Sequence, residues 1–187
     1  MAIILSTLKM KASKVLVICT ILLINNFIYK LAFADEQTQH LITAGWLEGV
    51  LLQPGNIRMR AKLDTGAKTS SLHAVDIKRF EKKGEQWVSF RTGIDKMVQI
   101  KLPLVREVKI KDHKLKATVR PVVEMKFCLH NRIFTSEFSL IDRSQFNYPI
   151  LLGRLLLQQG IIVDPSLTFT VRSNKKKCEA ALKMDEK

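Results

Sequence analysis

The chain has 187 residues, of which 47% are hydrophobic, and its 31 Lys and Arg residues outnumber its 17 Asp and Glu residues. This length and apolar share allow one domain with a packed core. With only 8 Gly, 5 Pro and 3 Cys, a disordered, collagen-like or disulfide-dense chain is excluded. The net charge of +14 indicates an acidic partner, a role that nucleic acid, a membrane surface or an anionic substrate would each fill.

Residues 1–34 have the three parts of a secretory signal peptide in the required order. The basic segment Lys9–Lys14 precedes the mostly apolar run Val15–Phe33, and the small-x-small sequence Ala32-Phe33-Ala34 closes it. We therefore expect cleavage after residue 34 and a periplasmic or secreted protein. Met10 is an alternative start, because the residues that follow it form a more typical basic region.

The competing interpretation of this segment is an uncleaved anchor helix. Asn25, Asn26 and Lys30 interrupt the apolar run and leave it short for a bilayer, which needs about 20 apolar residues. We therefore expect no stable membrane anchor after cleavage. The remaining 153 of the 187 residues carry 27 basic and 17 acidic side chains, a net charge of +10. Because an exported chain has little access to nucleic acid, we expect no nucleic-acid partner.

The mature chain is mostly β by its pattern, since short runs of alternating apolar and polar residues follow one another between turn residues. The predicted strands are Ile57–Leu63, Trp87–Phe90, Val108–Lys111, Leu115–Val119, Val122–Leu129, Ile133–Ile141, Pro149–Leu152, Ile161–Val163 and Leu167–Val171. His130-Asn131 predicts a hairpin turn, and Asp164-Pro165 predicts a turn between the last two strands. Arg154–Gln159 is the best candidate for a helix, with Gly160 placed to end it.

The sequence predicts one domain over residues 35–172, followed by a charged and flexible tail over residues 173–187. Cys128 lies in the domain and Cys178 in the tail. In an oxidising compartment the two cysteines could form a disulfide. A half-buried Cys128 and a free thiol in the tail are an equally good interpretation.

The densest chemical signal is the segment Ala61–Leu72, in which Asp64-Thr65-Gly66 follows a half-buried strand. Gly66 allows a tight turn in which backbone N–H groups approach the Asp64 carboxylate. Two carboxylates brought together hold one proton between them and can activate water. Taken alone, the tripeptide is more often an ordinary turn, because Asp and Gly favour turns everywhere.

A second signal, Asn147–Leu156, shifts that balance, because its apolar run ends in Gly153-Arg154 before the predicted helix. Together with Asp64-Thr65-Gly66-Ala67 and a hairpin-rich middle, it resembles the retropepsin-like aspartic proteases. The closer resemblance is to a bacterial family labelled ATP-dependent zinc proteases, and it covers nearly all of the mature domain. The segments that carry it are Gly45-Trp46, Lys62–Ala74, Trp87–Phe90, Leu151–Arg154 and Val163–Pro165.

The resemblance implies a mostly β fold, a small closed β-barrel of retropepsin-like type with one short C-terminal helix. Each chain would supply one catalytic carboxylate, so a working site needs a C2 homodimer. Asp64 would be the catalytic aspartate, and the Thr65 hydroxyl would lock the two active-site loops across the axis. The segment Trp87–Thr92 would correspond to the flap. The residues that would support the catalytic loop are Gly66, Ala67, Gly153 and Arg154.

One position departs from the pattern of the retroviral members. There, an acidic residue four positions after the catalytic aspartate pairs with the arginine, whereas this chain has Lys68. We therefore expect either that Arg154 finds another carboxylate, Asp142 or Asp164, or that the dimer and the substrate groove are built differently.

The label of the resembled family suggests zinc and ATP, but the residues support neither. The sequence has no His-Glu-x-x-His helix and no Gly-rich loop ending in Lys-Ser/Thr, and its four His residues are scattered. Cys128-x-His130 is the only close pair of ligand types, and His73 fits a structural role better than a ligand role. We predict no metal and no cofactor.

These features predict an exported aspartic endopeptidase, active as a homodimer on a peptide or protein substrate. The link of the resembled family to glutamate-ligating enzymes, and the cations near the loop, suit an acidic or glutamate-rich substrate. A solvated strand face is the other interpretation of those cations. The alternative function is a non-catalytic periplasmic binding module, a monomer in which Asp64 is an ordinary carboxylate. The cations in question are Arg58, Arg60, Lys62 and Lys68.

Overall fold

The computed structural model describes residues 41–111, 117–170 and 174–185. The chain divides into two compact units, Met1–Gln39 and His40–Lys187, and every described residue belongs to the second. The predicted signal segment, 1–34, lies outside the described residues. Among the residues that are described, no helix combines the length and the apolar character needed to cross a bilayer.

The described part of the chain is mostly β, which confirms the predicted fold class. It has two short helices, where one was predicted. The elements in chain order are β1 (Ile42–Gln53), β2 (Ile57–Leu63), β3 (Ser70–His73), β4 (Val75–Lys82), β5 (Glu85–Thr92), β6 (Val98–Pro103), β7 (Arg106–Lys111), β8 (Ala117–Leu129), β9 (Arg132–Ile141), β10 (Ile150–Leu152), α1 (Arg154–Leu157), β11 (Ile161–Thr168) and α2 (Lys175–Asp185).

Six strands form a closed barrel. The large sheet has the order β11-β1-β2-β10-β3-β9-β8-β7, and a further pairing of β1 with β8, at Leu51 opposite Cys128, closes the ring from β1 to β8. Closure pairs strand edges that would otherwise be open. Alternate residues of β2 point inward and are buried, while Arg58 and Arg60 between them are exposed. The apolar interior holds the barrel together, and it places the end of β2 beside β10.

Two hairpins form where the turn residues allow them. The predicted turn between β8 and β9 is confirmed: His130 and Asn131 have φ of 51° and 62°, as a tight hairpin turn requires. Lys83 and Gly84 join β4 to β5 in the same way, with φ of 54° and 80°. Strands β4, β5 and β6 form a separate three-stranded sheet, whose central strand contains the segment Trp87–Thr92.

The predicted turn at Asp164-Pro165 is wrong, because β11 runs through it as one strand parallel to β1. The register shifts there, so that three residues of β11 lie opposite the single residue Trp46 of β1. Gly45 permits this approach, since a Cβ on it would lie 2.4 Å from the carbonyl oxygen of Leu167. Asp164 retains a turn-like local bond by accepting the backbone N–H of Ser166 at 2.8 Å.

Part of the predicted tail forms helix α2. Asn174 accepts the backbone N–H of Lys177 in the first turn, and its own N–H donates to the Asn131 side chain at 2.8 Å. Cys178 forms a disulfide with Cys128, and both are completely buried against Leu51. Of the two interpretations of the cysteines, the structure has the disulfide, and this bond attaches the helix to the barrel.

Candidate active site

Asp64 lies immediately after β2, on the loop that joins this strand to β3. Its backbone N–H donates to the carbonyl of Leu152 at 2.8 Å, which continues the parallel pairing of β2 with β10 by one residue. Strands β2 and β10 lie side by side in the barrel wall, so the position of Asp64 is set by the core. Its side chain is 23% exposed, and the carboxylate can therefore be reached by solvent.

The loop after Asp64 folds back onto the carboxylate. The backbone N–H of Gly66 donates to Asp64 Oδ1 at 3.0 Å, and that of Ala67 donates to the Asp64 carbonyl at 3.2 Å. A side chain at position 66 would bring a Cβ to 3.2 Å from Oδ1, which is tighter than ordinary contact. Glycine at this position therefore allows the amide to approach the carboxylate.

Lys62, two residues earlier on the same strand face, pairs with the other carboxylate oxygen at 3.1 Å. Partial burial raises the pKa of Asp64, but the hydrogen bond and charge of Lys62 and the backbone N–H groups of Gly66 and Ala67 outweigh it. The pKa of Asp64 therefore lies below its ordinary value of 3.8. In a single chain this carboxylate is ionised at neutral pH.

Gly153 lets the segment after β10 pack directly against the active-site loop. A Cβ on Gly153 would lie 2.6 Å from the carbonyl oxygen of Thr69 and 2.9 Å from the carbonyl carbon of Lys68, both of them backbone atoms. The Gly153 N–H also donates to the buried hydroxyl of Ser70 at 3.1 Å. Only glycine fits between these two backbones as they stand.

Arg154 holds the loop through backbone carbonyls. Its Nη1 donates to the carbonyls of Thr65 and Gly66, both at 2.9 Å, and its backbone N–H donates to the carbonyl of Ala67 at 2.9 Å. Of the two expected alternatives, the carboxylate partner is not what the structure has, because Nη1 of Arg154 donates to carbonyl oxygens. Asp142 bonds Ser144 and Asp164 bonds Ser166 instead. An acid at position 68 is not needed to anchor the arginine, and Lys68 is exposed.

Thr65 and Ala67 occupy the outer part of the loop. Thr65 is exposed at its tip, beside a surface cavity of about 460 Å³ that Lys68 and Arg154 also line. Exposed apolar side chains occur on the neighbouring elements, with Leu155 of α1 at 47% and Ile162 of β11 at 49%. The structure thus brings together all six predicted site residues on one loop and the start of α1.

Sequence reasoning missed Arg143, which follows β9. It is only 9% exposed, donates from Nε to the Tyr148 carbonyl at 3.0 Å and from Nη1 to the Ser71 hydroxyl at 2.8 Å. Its backbone N–H donates to His73 Nδ1 at 3.0 Å, so this ring nitrogen is an acceptor. Burial and the charge of Arg120 lower the pKa of Arg143, whereas the negative charge of Asp64 raises it. No local sequence pattern indicated this residue, because its burial depends on contacts more than 70 positions away along the chain.

A family model for RimB-like proteins, described as retropepsin-like aspartic endopeptidase RimB, matches residues 43–174. The match spans the barrel, the loop and the helix that follows β10. This chain belongs to the RimB-like family. The retropepsin-like part of the predicted resemblance is therefore confirmed.

Relatives of this RimB-like chain include longer proteins. It is 34% identical over 114 residues to a probable alpha-L-glutamate ligase of Desulfotalea psychrophila, covering 58% of this chain and 25% of that protein. A ligase of the same name from Shewanella pealeana is 32% identical over 116 residues, covering 59% of this chain and 25% of the relative. The chain thus spans about a quarter of the length of these curated relatives.

The fold also occurs in a solved structure, the crystal structure of Lpg0085 from Legionella pneumophila, a protein described as of unknown function (DUF785). It is 37% identical to this chain, with a TM-score of 0.63, and covers 70% of this chain and 98% of its own. A region similar to this chain therefore makes up nearly all of that solved chain and about a quarter of the Desulfotalea psychrophila ligase.

In residues 41–111, 117–170 and 174–185, no group of three His, Cys, Asp or Glu side chains could hold a metal ion. Cys128, half of the close pair of ligand types in the sequence, is in the disulfide. His40 and His113 lie outside the described residues.

Proposed function

We propose that this RimB-like chain is an exported aspartic endopeptidase, active as a homodimer, with Asp64 as its catalytic residue. The observation that carries the proposal is that the Asp64 carboxylate is fixed in position and yet accessible. The Gly66 N–H donates to one of its oxygens, and its side chain is partly exposed to solvent. A carboxylate that merely shaped a turn would not need the support that Gly153 and Arg154 give to its loop.

A second chain would supply what one chain lacks. A lone Asp64 is ionised and has no partner carboxylate, whereas two of them about 3 Å apart share one proton. The exposed Thr65 and the apolar side chains of Leu155 and Ile162 are the features that a two-fold contact would bury. The dyad then titrates as a unit, so neither apparent pKa belongs to one chain.

The chemistry follows from that shared proton. The ionised carboxylate takes a proton from water as its oxygen attacks the amide carbonyl carbon, and the protonated carboxyl gives its proton to the carbonyl oxygen. The carboxyl that received the water proton then protonates the amide nitrogen, while the other carboxylate takes a proton from a hydroxyl of the tetrahedral diol. The C–N bond breaks to release an acid and an amine, and the dyad again shares one proton. The backbone bonds to the loop keep the Asp64 carboxylate oriented through both steps.

Export is part of the proposal and has support at both ends of the chain. Residues 1–34 have the composition of a cleavable signal peptide, and the Cys128–Cys178 disulfide is the kind of bond that persists in an oxidising compartment. We propose the periplasm or the outside of the cell as the location, with no membrane anchor after cleavage.

The proposed substrate is a peptide or protein, with preference for acidic or glutamate-rich sequences. The mature chain would carry a net charge of +10, and the face of β2 next to Asp64 presents Arg58, Arg60 and Lys62. The relatives that share this domain are named for ligating glutamate. From the likeness to proteins labelled ATP-dependent zinc proteases, the proposal takes only the sequence motifs. It includes neither a metal nor a cofactor.

The alternative function is a monomeric, non-catalytic binding module in the periplasm. The ion pair of Lys62 with Asp64 favours it, since an occupied and ionised carboxylate is stable without a second chain. The two proposals differ in oligomeric state and in hydrolysis, so both can be tested on the same preparation.

The test compares the mature chain with Asp64→Asn and with the control Glu85→Gln, which makes the same change of charge at the exposed start of β5. Sedimentation at micromolar concentration gives the oligomeric state, and cleavage of a peptide library at pH 4 to 8 gives activity. We expect dimers in all three, with cleavage lost only in Asp64→Asn. Cleavage that persists in Asp64→Asn would refute the peptidase proposal, and an inactive monomer would support the binding module.

A further inference from the structure

A second feature of the Asp64 face is a cavity of about 270 Å³ that no part of the mechanism above uses. Arg60, His73 and Arg143 line it, together with Ile94 and Phe146, and we call it the Arg143 pocket. Arg60 precedes Asp64 by four residues on the same strand face, about 13 Å along an extended strand. Arg143 is close enough to Asp64 for the two charges to interact. Asp64 does not line the pocket, but its charge reaches Arg143 in the pocket wall.

Among the described residues, the buried charge of Arg143 has no direct ion pair, and Asp64 acts on it only as a nearby charge. Its Nε and Nη1 are held by neutral oxygens of Tyr148 and Ser71, and no described carboxylate forms an ion pair with it. Nη2 donates to no described residue. A nine-tenths buried cation without a direct ion pair is costly, because it has lost most of its hydration. A bound anion would remove that cost.

The remaining lining fits an anion on a short apolar stem. No Asp or Glu lines the pocket, and Arg60 adds a second cation that forms no ion pair within the described residues. The rim is apolar, with Ile94 at 50% and Phe146 at 55% exposure, and the Arg143 guanidinium stacks 4.5 Å from the Phe146 ring. Asp142, the residue before Arg143, is exposed and accepts the backbone N–H of Ser144.

We propose that the Arg143 pocket is a carboxylate-binding subsite that selects the substrate of this enzyme. A carboxylate would accept the free N–H groups of Arg143 Nη2 and lie near Arg60, with the preceding carbons against Phe146 and Ile94. Planar guanidinium groups suit this pairing because they donate two parallel hydrogen bonds. The bound molecule is a substrate only if the proposed peptidase function holds, so the inference rests on that function. Binding of the carboxylate itself does not require catalysis.

Two sources could supply the carboxylate, an acidic side chain within the peptide or the carboxylate at its C-terminus. The Asp64→Asn variant, which should bind without cleaving, distinguishes them by calorimetry with three eight-residue peptides. These are an oligoglutamate peptide with an amidated C-terminus, an oligoglutamine peptide with a free C-terminus, and an amidated oligoglutamine peptide. Binding of the first alone identifies a side chain, and binding of the second alone identifies the terminus. Equal affinity for all three would overturn the proposal.

Substitutions then locate the binding. Arg60→Gln removes a pocket cation, whereas Arg58→Gln makes the same change one step along the strand face and outside the pocket. We expect about tenfold weaker binding of the preferred peptide for Arg60→Gln, and less than about twofold for Arg58→Gln. Equal losses in both would mean diffuse attraction to the basic strand and would overturn the subsite.

Arg143→Lys keeps the charge but removes the planar fork, so we expect it to weaken binding at least as much as Arg60→Gln does. Its fold is checked by urea unfolding, and if it does not fold, the Arg60 and Arg58 pair decides. Loss of peptide cleavage together with retained, Arg60-dependent binding would refute the peptidase and leave the subsite standing. Cleavage with no preference among the three peptides would support the peptidase and refute the subsite.

Discussion

The clearest prediction concerns Gly153, because the structure gives the size of the perturbation directly. Gly153→Ala would place a Cβ 2.6 Å from the Thr69 carbonyl oxygen, where ordinary contacts begin at 3.4 Å, so backbone must move by about 0.8 Å. No flexible side chain can yield instead, since the contacting atoms belong to the backbone of Lys68 and Thr69. Forced overpacking of this kind costs about 2 kcal/mol.

The movement falls on the active-site loop, which makes the consequence functional as well. The backbone N–H groups of Arg154 and Leu155 donate to the carbonyls of Ala67 and Lys68, and these bonds stretch when the loop is pushed away. A displacement of about 1 Å in a catalytic group costs on the order of 100-fold in rate. We therefore expect kcat/KM for peptide cleavage to fall by about two orders of magnitude in Gly153→Ala.

Gly49→Ala is the matched control, because a Cβ on Gly49 would meet no atom within 4 Å. Urea unfolding and peptide cleavage are measured for both variants beside the parent chain. We expect the control to match the parent within about 0.5 kcal/mol, as surface substitutions usually do. If Gly153→Ala were as stable and as active as Gly49→Ala, the close packing of α1 against the loop would not be what positions Asp64.

Three further predictions test other contacts. Lys62→Met should raise the pKa of Asp64, because it removes the cation that stabilises the ionised form; carbon NMR titration of the carboxyl checks this, and an unchanged pKa would contradict the pairing. In the parent, the stability that Asp64 contributes is present above pH 3.8 and lost as pH falls through its lower folded-state pKa. Replacing Cys128 and Cys178 together by Ala should lower the free energy of unfolding by about 4 kcal/mol, since a 50-residue loop is no longer closed. Urea unfolding measures this change, and an unchanged free energy would argue against the disulfide. Glu48→Leu should cost about 3 kcal/mol, because three donors to this completely buried carboxylate lose their acceptor; an unfolding midpoint like that of the parent would refute this role.

Local sequence patterns predicted the strands in which apolar and polar residues alternate, and the hairpin turn whose residue types favour a left-handed backbone. Strand β2 alternates cleanly between buried and exposed positions, and His130-Asn131 adopts the left-handed backbone that its residue types permit. The Asp164-Pro165 pair misled for a related reason. The local hydrogen bond of a turn is present, since the Ser166 N–H donates to the Asp164 side chain. However, β11 pairs with β1 on both sides of this bond, so the strand continues with a bulge instead of ending.

The partner of Arg154 could not be inferred from residue types. An arginine bonds carboxylates and backbone carbonyls alike, and only the fold determines which oxygens lie within reach. The loop turns the carbonyls of Thr65 and Gly66 toward the guanidinium, so Lys68 can stand where an acid was expected. Helix α2 is a similar case, because the bond that joins this charged segment to the barrel depends on Cys128, which lies 50 residues away along the chain.

The amino-acid sequence by itself determined the β pattern, the position of Asp64 at the end of a strand, and the glycines on which its loop depends. These are local properties, set by side-chain alternation and by backbone freedom at single positions. Tertiary structure alone decided three facts: Arg143 is a buried cation, Arg154 donates to backbone carbonyls, and Cys128 forms a disulfide with Cys178. Such facts depend on which distant segments the closed barrel brings together, and the burial of a single loop residue leaves no periodic pattern in the sequence.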